Sequence, residues 1–301
     1  MAAPDRIVLG SRGSELALAQ ARLVEQSLRR VWPDLEVVLE IVRTSGDESA
    51  QSRPVVDRKA GRKGMFTREI EKELLVRRID VAVHSAKDLP SERLEELEVC
   101  AALPRANTED VLITKNGGGL TSLAKGATIA TGSVRRQHQL HWKRPDLAIA
   151  GLRGNVPTRL RKLQESENWS GIILARAGLE RLSIQLASEI LSSEDFVPAG
   201  GQGVIALQIR RDDAETRRKV DGVNDRPTFA ALRAEREFLR LLDGDCDSPV
   251  GVHATLDGDQ LHLRAQIFES EKTAPRVGAM TGTSRDPEKV SQSLMHFIYG
   301  G

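Results

Sequence analysis

The sequence predicts an α/β protein of two or three domains that ends in a small α+β unit, and three observations carry that prediction. A length of 301 residues exceeds one ordinary domain. Short apolar runs such as Val81-Ala82-Val83 lead into polar loops and then into helical stripes, again and again between Arg6 and Leu179. Consecutive apolar positions suit strands covered on both faces, as in a parallel sheet. Beyond Leu242 the pattern changes to two alternating strands, a turn and a terminal helical stripe.

Taken in order, Arg6 to Gly10 reads as a strand that ends in Ser11-Arg12-Gly13-Ser14. Ser14 is a suitable N-cap and Glu15 favours the helix dipole, so a helix follows to Arg30 and stops at Pro33. Leu35 to Val42 alternates like a strand, which completes a βαβ unit. Thr44 to Gly64 is polar and aperiodic; it is either a flap whose basic end, Arg62 and Lys63, folds over an anion, or a solvated loop. A helix over Met65 to Arg78 precedes a strand over Ile79 to Val83.

Leu97 to Leu103 and Asp110 to Thr114 are strand-like. Thr128 to Ala130, Leu147 to Leu152 and Gly171 to Leu174 are strands, each running into a polar loop. Helices follow the first two, through His141 and to Glu165. Gly200-Gly201-Gln202-Gly203 reads as a crossover that permits hinge motion, and the apolar strand Val204 to Ile209 is able to return to the first domain. A helix from Pro227 to Leu242, strands over Val250 to Leu256 and Leu261 to Phe268, and a helix near Pro287 to Ile298 complete the chain.

Composition narrows the functional classes. The chain is 40% hydrophobic and 29% charged with a formal net charge of +1, so no global basic field is present to hold a nucleic acid. Aromatic residues make up 3%, which leaves the cores to aliphatic side chains. Two distant cysteines, Cys100 and Cys246, make no disulfide framework and fit a reducing compartment. No segment has the length and apolarity of a membrane span, and the start of the chain lacks a signal-peptide pattern, so the cytoplasm is the expected address.

In open α/β sheets, ligands bind beyond the carboxyl ends of the strands. Lys87 and Asp88 stand at such an end, and so by this reading do Arg12, Arg135, Arg136, Arg153, Arg159 and Arg210. Guanidinium forks bind carboxylates or phosphates in bidentate fashion, and the spacing does not separate the two ligands. Ser11 to Ser14 and Thr131 to Ser133 are glycine-containing turns before helices, where free N–H groups favour anions. Neither matches a P-loop or a dinucleotide fingerprint. Asp88 among cations suits either a salt bridge or a carboxylate that stabilises a developing cation. Cys246, in Asp243-Gly244-Asp245-Cys246-Asp247-Ser248-Pro249, fits neither an EF-hand nor a zinc site, which leaves a reactive anchor or an incidental thiol and no metal.

Together and in order, His84-Ser85-Ala86-Lys87-Asp88-Leu89-Pro90, Thr131-Gly132-Ser133-Val134-Arg135-Arg136-Gln137, Arg153-Gly154-Asn155-Val156-Pro157-Thr158-Arg159, Gly200-Gly201-Gln202-Gly203 and the Cys246 loop closely resemble the porphobilinogen deaminase (hydroxymethylbilane synthase) family. The resemblance implies two periplasmic-binding-protein-like α/β lobes around a cleft plus a small α+β C-terminal domain. Domain 1 would span 1–102 and 198–220 with the flap and Asp88. Domain 2 would span 103–197 with the arginine-rich anion sites, and domain 3 would span 221–301 with the Cys246 loop. It further implies a monomeric cytoplasmic transferase of haem and tetrapyrrole biosynthesis, without nucleic-acid or membrane partners. Four porphobilinogen molecules would be deaminated and joined head to tail on a dipyrromethane primer held by a thioether to Cys246, and hydroxymethylbilane released by hydrolysis.

By the same resemblance, Asp88 holds pyrrole N–H groups, assists loss of ammonia and stabilises the azafulvenium cation. Lys87, Asp88, Ser133, Arg135, Arg136, Arg153, Arg159 and Arg210 would bind the cofactor, and Arg12, Ser14, Arg153, Arg159 and Gln202 the substrate. Gln202 would lie in the hinge and Lys63 at the end of the flap. The chain departs from the family pattern in the acids Asp245 and Asp247 beside Cys246, which disfavour the thiolate, and in Arg176, where a small residue is common. A non-catalytic two-lobed binder and a phosphate-ester enzyme are the competing classes; the first leaves Asp88 with Cys246 unexplained, and the second lacks a phosphate-loop or metal motif.

Overall fold

The computed structural model describes residues 5–43, 67–91, 94–243, 248–270 and 273–300. In chain order the first elements are β1 (Arg6–Arg12), α1 (Glu15–Val31), β2 (Glu36–Val42), α2 (Arg68–Leu75), β3 (Val81–Ser85) and β4 (Leu97–Ala102). There follow β5 (Asp110–Thr114), β6 (Thr128–Ala130), α3 (Val134–Lys143), β7 (Ala148–Ala150), α4 (Val156–Glu165), β8 (Gly171–Ala175), α5 (Arg176–Arg181) and β9 (Glu189–Ile190). The last are β10 (Ile205–Arg210), α6 (Ala214–Asp221), α7 (Arg226–Leu241), β11 (Val250–Asp257), β12 (Gln260–Ile267), β13 (Arg276–Thr283) and α8 (Pro287–Tyr299). These pack as two compact units, residues 1–105 with 204–230 and residues 106–203 with 231–301.

The first unit is a five-stranded sheet in the order β2-β1-β3-β10-β4. β1, β2 and β3 are parallel, whereas β10 runs antiparallel to both β3 and β4. The late apolar strand does complete this sheet, and it lies inside it. α1 covers one face with Val24 and Leu28 against Ile7, Leu9, Val81 and Val83. α2 covers the other with Ile70 and Leu74 against Ile79, Ala82 and Leu97. Cover on both faces is why Val81-Ala82-Val83 is an unbroken apolar run; each buried valine in it contributes about 1.5–3 kcal/mol. Ser14 caps α1 as expected, its hydroxyl accepting from Ala17 N at 3.3 Å.

The second unit contains a sheet of the same design, β7-β6-β8-β5-β9. β6, β7 and β8 are parallel and β5 is antiparallel to β8 and β9. The unit also contains the antiparallel meander β11-β12-β13. α7 and α8 pack on the meander through Ala234, Phe238 and Leu294, against Val252 and Leu263. Two α/β lobes and a small C-terminal α+β part are therefore present. The crossover residues up to Gly203 belong to the second unit: Val252 N donates to Pro198 O at 2.9 Å and Gly201 N to the buried Glu235 at 2.6 Å.

Several elements differ from the sequence reading. β3 starts at Val81, not Ile79, and keeps His84 and Ser85 in the strand. α2 is shorter than the helix expected over Met65 to Arg78, whose first two residues lie outside the described ones. β13, β9, α5 and α6 were not foreseen. Among the described residues no helix is long and apolar enough to cross a membrane.

Candidate active site

The carboxyl ends of β1 and β3 frame a crevice in the first unit, lined by Arg12, Ser14, Gln20, Thr67, His84, Ser85 and Asp88. Asp88 sits on a single 3-10 turn, Ala86–Asp88, that continues β3 without a spacer. Ala86 N donates to Val204 O at 3.0 Å, which fixes the turn to the start of β10. Asp88 is only partly buried, as a carboxylate that meets a ligand has to be. Beneath it, Gln20 and Ser85 bond each other at 2.8 and 3.0 Å. The Glu71 carboxylate can only accept, so it takes the Gln208 amide N–H at 3.0 Å. The Gln208 oxygen then faces His84 Nε2 at 2.9 Å, and that nitrogen carries the proton.

In the second unit the equivalent strand end carries a charge cluster. Ser133 caps α3, its hydroxyl accepting from Arg136 N at 3.5 Å. Arg135 and Arg136 in the first turn are buried, and both reach the fully buried Asp110 at the start of β5, at 2.8 and 2.7 Å. Gln202 Nε2 adds a third donor to Asp110 at 2.9 Å and also bonds Thr108 O at 2.6 Å. Burial pushes the Asp110 pKa up, but the two guanidinium charges and the bonds from Arg136 and Gln202 outweigh it, so the group is held far below the usual carboxylate range. Burial likewise pushes Arg135 down, against the pull of Asp110.

The remaining expectations divide. Asn155 caps α4, accepting from Thr158 N at 2.9 Å, and Gly154 takes a φ of +117° that a side chain would resist. That curl presents Gly154 O to Arg159 Nε at 2.6 Å and leaves Arg153 exposed. Arg176 is held by Glu180 at 2.8 Å and Glu109 at 3.7 Å. Arg210 corrects the sequence reading. Because β10 is antiparallel, its last residue lies at the amino end of β3, the opposite edge from Asp88. There it is buried and bound to Leu74 O at 3.0 Å, Ile79 O at 2.6 Å, Asp80 at 3.1 Å and Asp213. Its guanidinium ties strands and helices together and is no part of the crevice. Gln202, which the resemblance puts in the hinge, is fully buried and bonds Thr108 O and Asp110. Lys63 and Cys246 lie outside the described residues.

Two family models cover this chain: "Porphobilinogen deaminase, dipyromethane cofactor binding domain" over residues 7–218 and "Porphobilinogen deaminase, C-terminal domain" over residues 229–299. The chain belongs to the porphobilinogen deaminase family. Among curated relatives, porphobilinogen deaminase of Nitrobacter winogradskyi is 45% identical over 96% of this chain and 91% of its own length. That of Syntrophobacter fumaroxidans is 43% identical over 96% and 93%, and that of an Exiguobacterium species 39% over 98% and 95%. Solved structures at low identity include the BenM effector-binding domain with benzoate, at TM-score 0.43 and 13% identity over 73% of this chain and 90% of that one. Full-length CbnR with its target DNA matches at TM-score 0.43 and 13% identity, over 73% and 67%.

A porphobilinogen deaminase carries a dipyrromethane cofactor with acidic side chains, and the second-unit cluster fits such a group. Arg135 and Arg136 against Asp110 leave one unit of positive charge buried. Arg135 Nε and Arg136 Nε are buried donors without a hydrogen-bond partner among the described residues. Each buried donor left unmet costs about 1–3 kcal/mol, which a ligand carboxylate would recover. Asp110, Gln139, Gln20 and His84 were not singled out from the sequence. An acid opening the buried run Val111-Leu112-Ile113 was the available signal for Asp110, because a buried carboxylate needs a cation.

Proposed function

We infer that this chain is a hydroxymethylbilane synthase, the transferase that joins four porphobilinogen molecules head to tail and releases hydroxymethylbilane for tetrapyrrole and haem biosynthesis. The observation that carries this reading is Asp88, a partly exposed carboxylate on the turn after β3, facing the same crevice as Arg12 and Ser14. A carboxylate there accepts pyrrole N–H groups and stabilises the methylene-pyrrole cation left when ammonia departs, while Arg12 takes a substrate carboxylate. The Ser14 turn at the start of α1 adds backbone N–H groups to that anion site.

The bound dipyrromethane supplies the primer pyrrole to which the first substrate is joined. Cys246 would hold it by a thioether, a bond that survives repeated turnover. Ser133, Arg135, Arg136, Arg153 and Arg159 would grip its carboxylates together with Lys87, and Lys63 would close over the substrate. Separate cores around β5–β9 and around β11–β13 support a three-domain division. The enzyme works as a monomer in the cytoplasm, where a reducing milieu preserves the Cys246 thiol until the cofactor is attached.

Intact mass spectrometry with kinetics tests this. The purified chain is expected to carry a two-pyrrole adduct that Cys246→Ala abolishes. Asp88→Asn is expected to keep the fold and lose nearly all turnover. Near-normal turnover in folded Asp88→Asn, or a wild-type chain of unmodified mass, overturns the reading.

A further inference from the structure

Arg135 is held from a second side by a chain of buried amides whose direction is fixed. Arginine only donates, so the Gln139 side chain must turn its oxygen to Arg135 Nη1, 2.8 Å away. Gln139 Nε2 then has two acceptors, Val197 O at 2.9 Å and Gln266 Oε1 at 2.7 Å. The orientation of Gln266 follows: its oxygen faces Gln139 and its nitrogen donates to Asp195 O at 3.3 Å. Gln139 is fully buried and Gln266 nearly so. Val197 O also accepts from Arg135 Nη1 at 2.9 Å. Gln266 pairs across the strands with Gly251, and a Cβ on Gly251 would come within 2.4 Å of Val197 O.

This joint connects α3 to β12 of the C-terminal meander, and the neighbouring strand β11 begins at Val250, four residues after Cys246. We propose that Gln139 and Gln266 are positioning residues: the C-terminal meander sets the Arg135 guanidinium through them, and cofactor capture depends on that setting. The proposal rests on the functional reading above. An arginine side chain free to rotate loses about 2 kcal/mol of rotamer entropy on binding. One already fixed by Asp110, Gln139 and Val197 O meets a ligand carboxylate without that cost. The step that releases ammonia uses Asp88 in the other unit and does not draw on this joint.

The test uses the full-length chain expressed with its cofactor. Gln266→Leu leaves one of the two Gln139 amide N–H groups unpaired, the other staying on Val197 O, whereas Gln266→Glu retains an acceptor toward Gln139. Gln266→Asn withdraws the acceptor without adding apolar bulk and serves if the leucine variant does not fold. Intact mass gives the fraction of chains carrying the adduct, and steady-state kinetics of the loaded fraction give KM and kcat for porphobilinogen. Gln266→Leu or Gln266→Asn is expected to lower the loaded fraction and raise KM about tenfold, with kcat within about twofold, as for other residues that orient a ligand-binding group. Gln266→Glu is expected to restore both. Folded Gln266→Leu or Gln266→Asn with wild-type loading and KM, or a Gln266→Glu variant no better than Gln266→Leu, overturns the inference alone. A wild-type chain without any adduct overturns the functional reading and this inference with it.

Discussion

The two α/β lobes repeat one strand order, yet the strand that crosses into each brings opposite chemistry to the functional edge. Both crossing strands are antiparallel to the central parallel strand, so their first residue, not their last, reaches the edge where ligands bind. In the first lobe that residue is Ile205, opposite Ser85. In the second it is Asp110, opposite Ala175. The first lobe therefore builds its crevice floor from Gln20, Ser85 and His84 and leaves the Asp88 carboxylate partly exposed. The second buries its carboxylate under two arginines. A carboxylate that a ligand can reach is free for chemistry, and one enclosed by two cations is committed to holding them. One topology thus yields an edge with an accessible carboxylate and an edge with an enclosed one, and the residue that opens the crossing strand makes the difference.

The sharpest way to break this contrast is to remove Asp110 and compare the result with removal of Arg210, its counterpart at the far end of the other crossing strand. Asp110→Ala leaves two buried guanidiniums uncompensated and is expected to cost about 3–5 kcal/mol. Arg210→Ala frees Asp80 and Asp213, both closer to solvent, and takes the side-chain donor from Ile79 O while Leu74 O keeps its bond from Arg77 N, at about 1–3 kcal/mol. Urea unfolding checks the order. Only the Asp110 change should also raise KM for porphobilinogen; a folded Arg210→Ala with an equally raised KM would return that arginine to the binding site.

Much of this was legible in the sequence. Ser14, Ser133 and Asn155 cap helices as residues with a short acceptor side chain should. The strands over Asp110 to Thr114 and Thr128 to Ala130 appear with their expected limits. What was hidden depended on tertiary packing. β13 reads weakly because Gly278 and Gly282 interrupt it; a Cβ at those positions would come within 2.7 Å of Ile298 and 2.5 Å of Val290 on α8. Arg210 was misassigned because apolar periodicity marks a buried strand but not its direction. Asp110 was passed over because its partners, Arg135 and Arg136, are more than twenty residues downstream, joined only by the sheet.

Acid sharpens the same comparison more gently. The Asp110 carboxyl is depressed from an ordinary value of 3.8, so its ionised form stabilises the fold fully above about pH 4. That contribution is lost as pH falls from there toward the depressed folded value. Urea midpoints measured between pH 5 and pH 2 should therefore fall less steeply for Asp110→Asn than for the wild type, by up to about 1.4 kcal/mol per pH unit. Parallel acid limbs for the two proteins would mean that Asp110 is not the buried anion of the cluster.

The smallest effect concerns a thiol in the first lobe. Burial, with a lesser upward push from Asp221, lifts Cys100 on β4 to about 12 against the bond it makes to the backbone. Only the thiolate is nucleophilic, and at pH 8 about one Cys100 in ten thousand is ionised. Iodoacetamide on the native chain at pH 8 should leave Cys100 unlabelled, with full labelling after unfolding, as peptide mapping would report. The native reaction then counts Cys246 alone, and only in chains where no cofactor occupies its sulfur. The extent of labelling should consequently fall as the adduct fraction rises. Labelling of Cys100 in the folded protein would show that β4 opens on the timescale of the reaction, and that the first sheet is less closed at its β4 edge than its buried Leu97 and Ala101 imply.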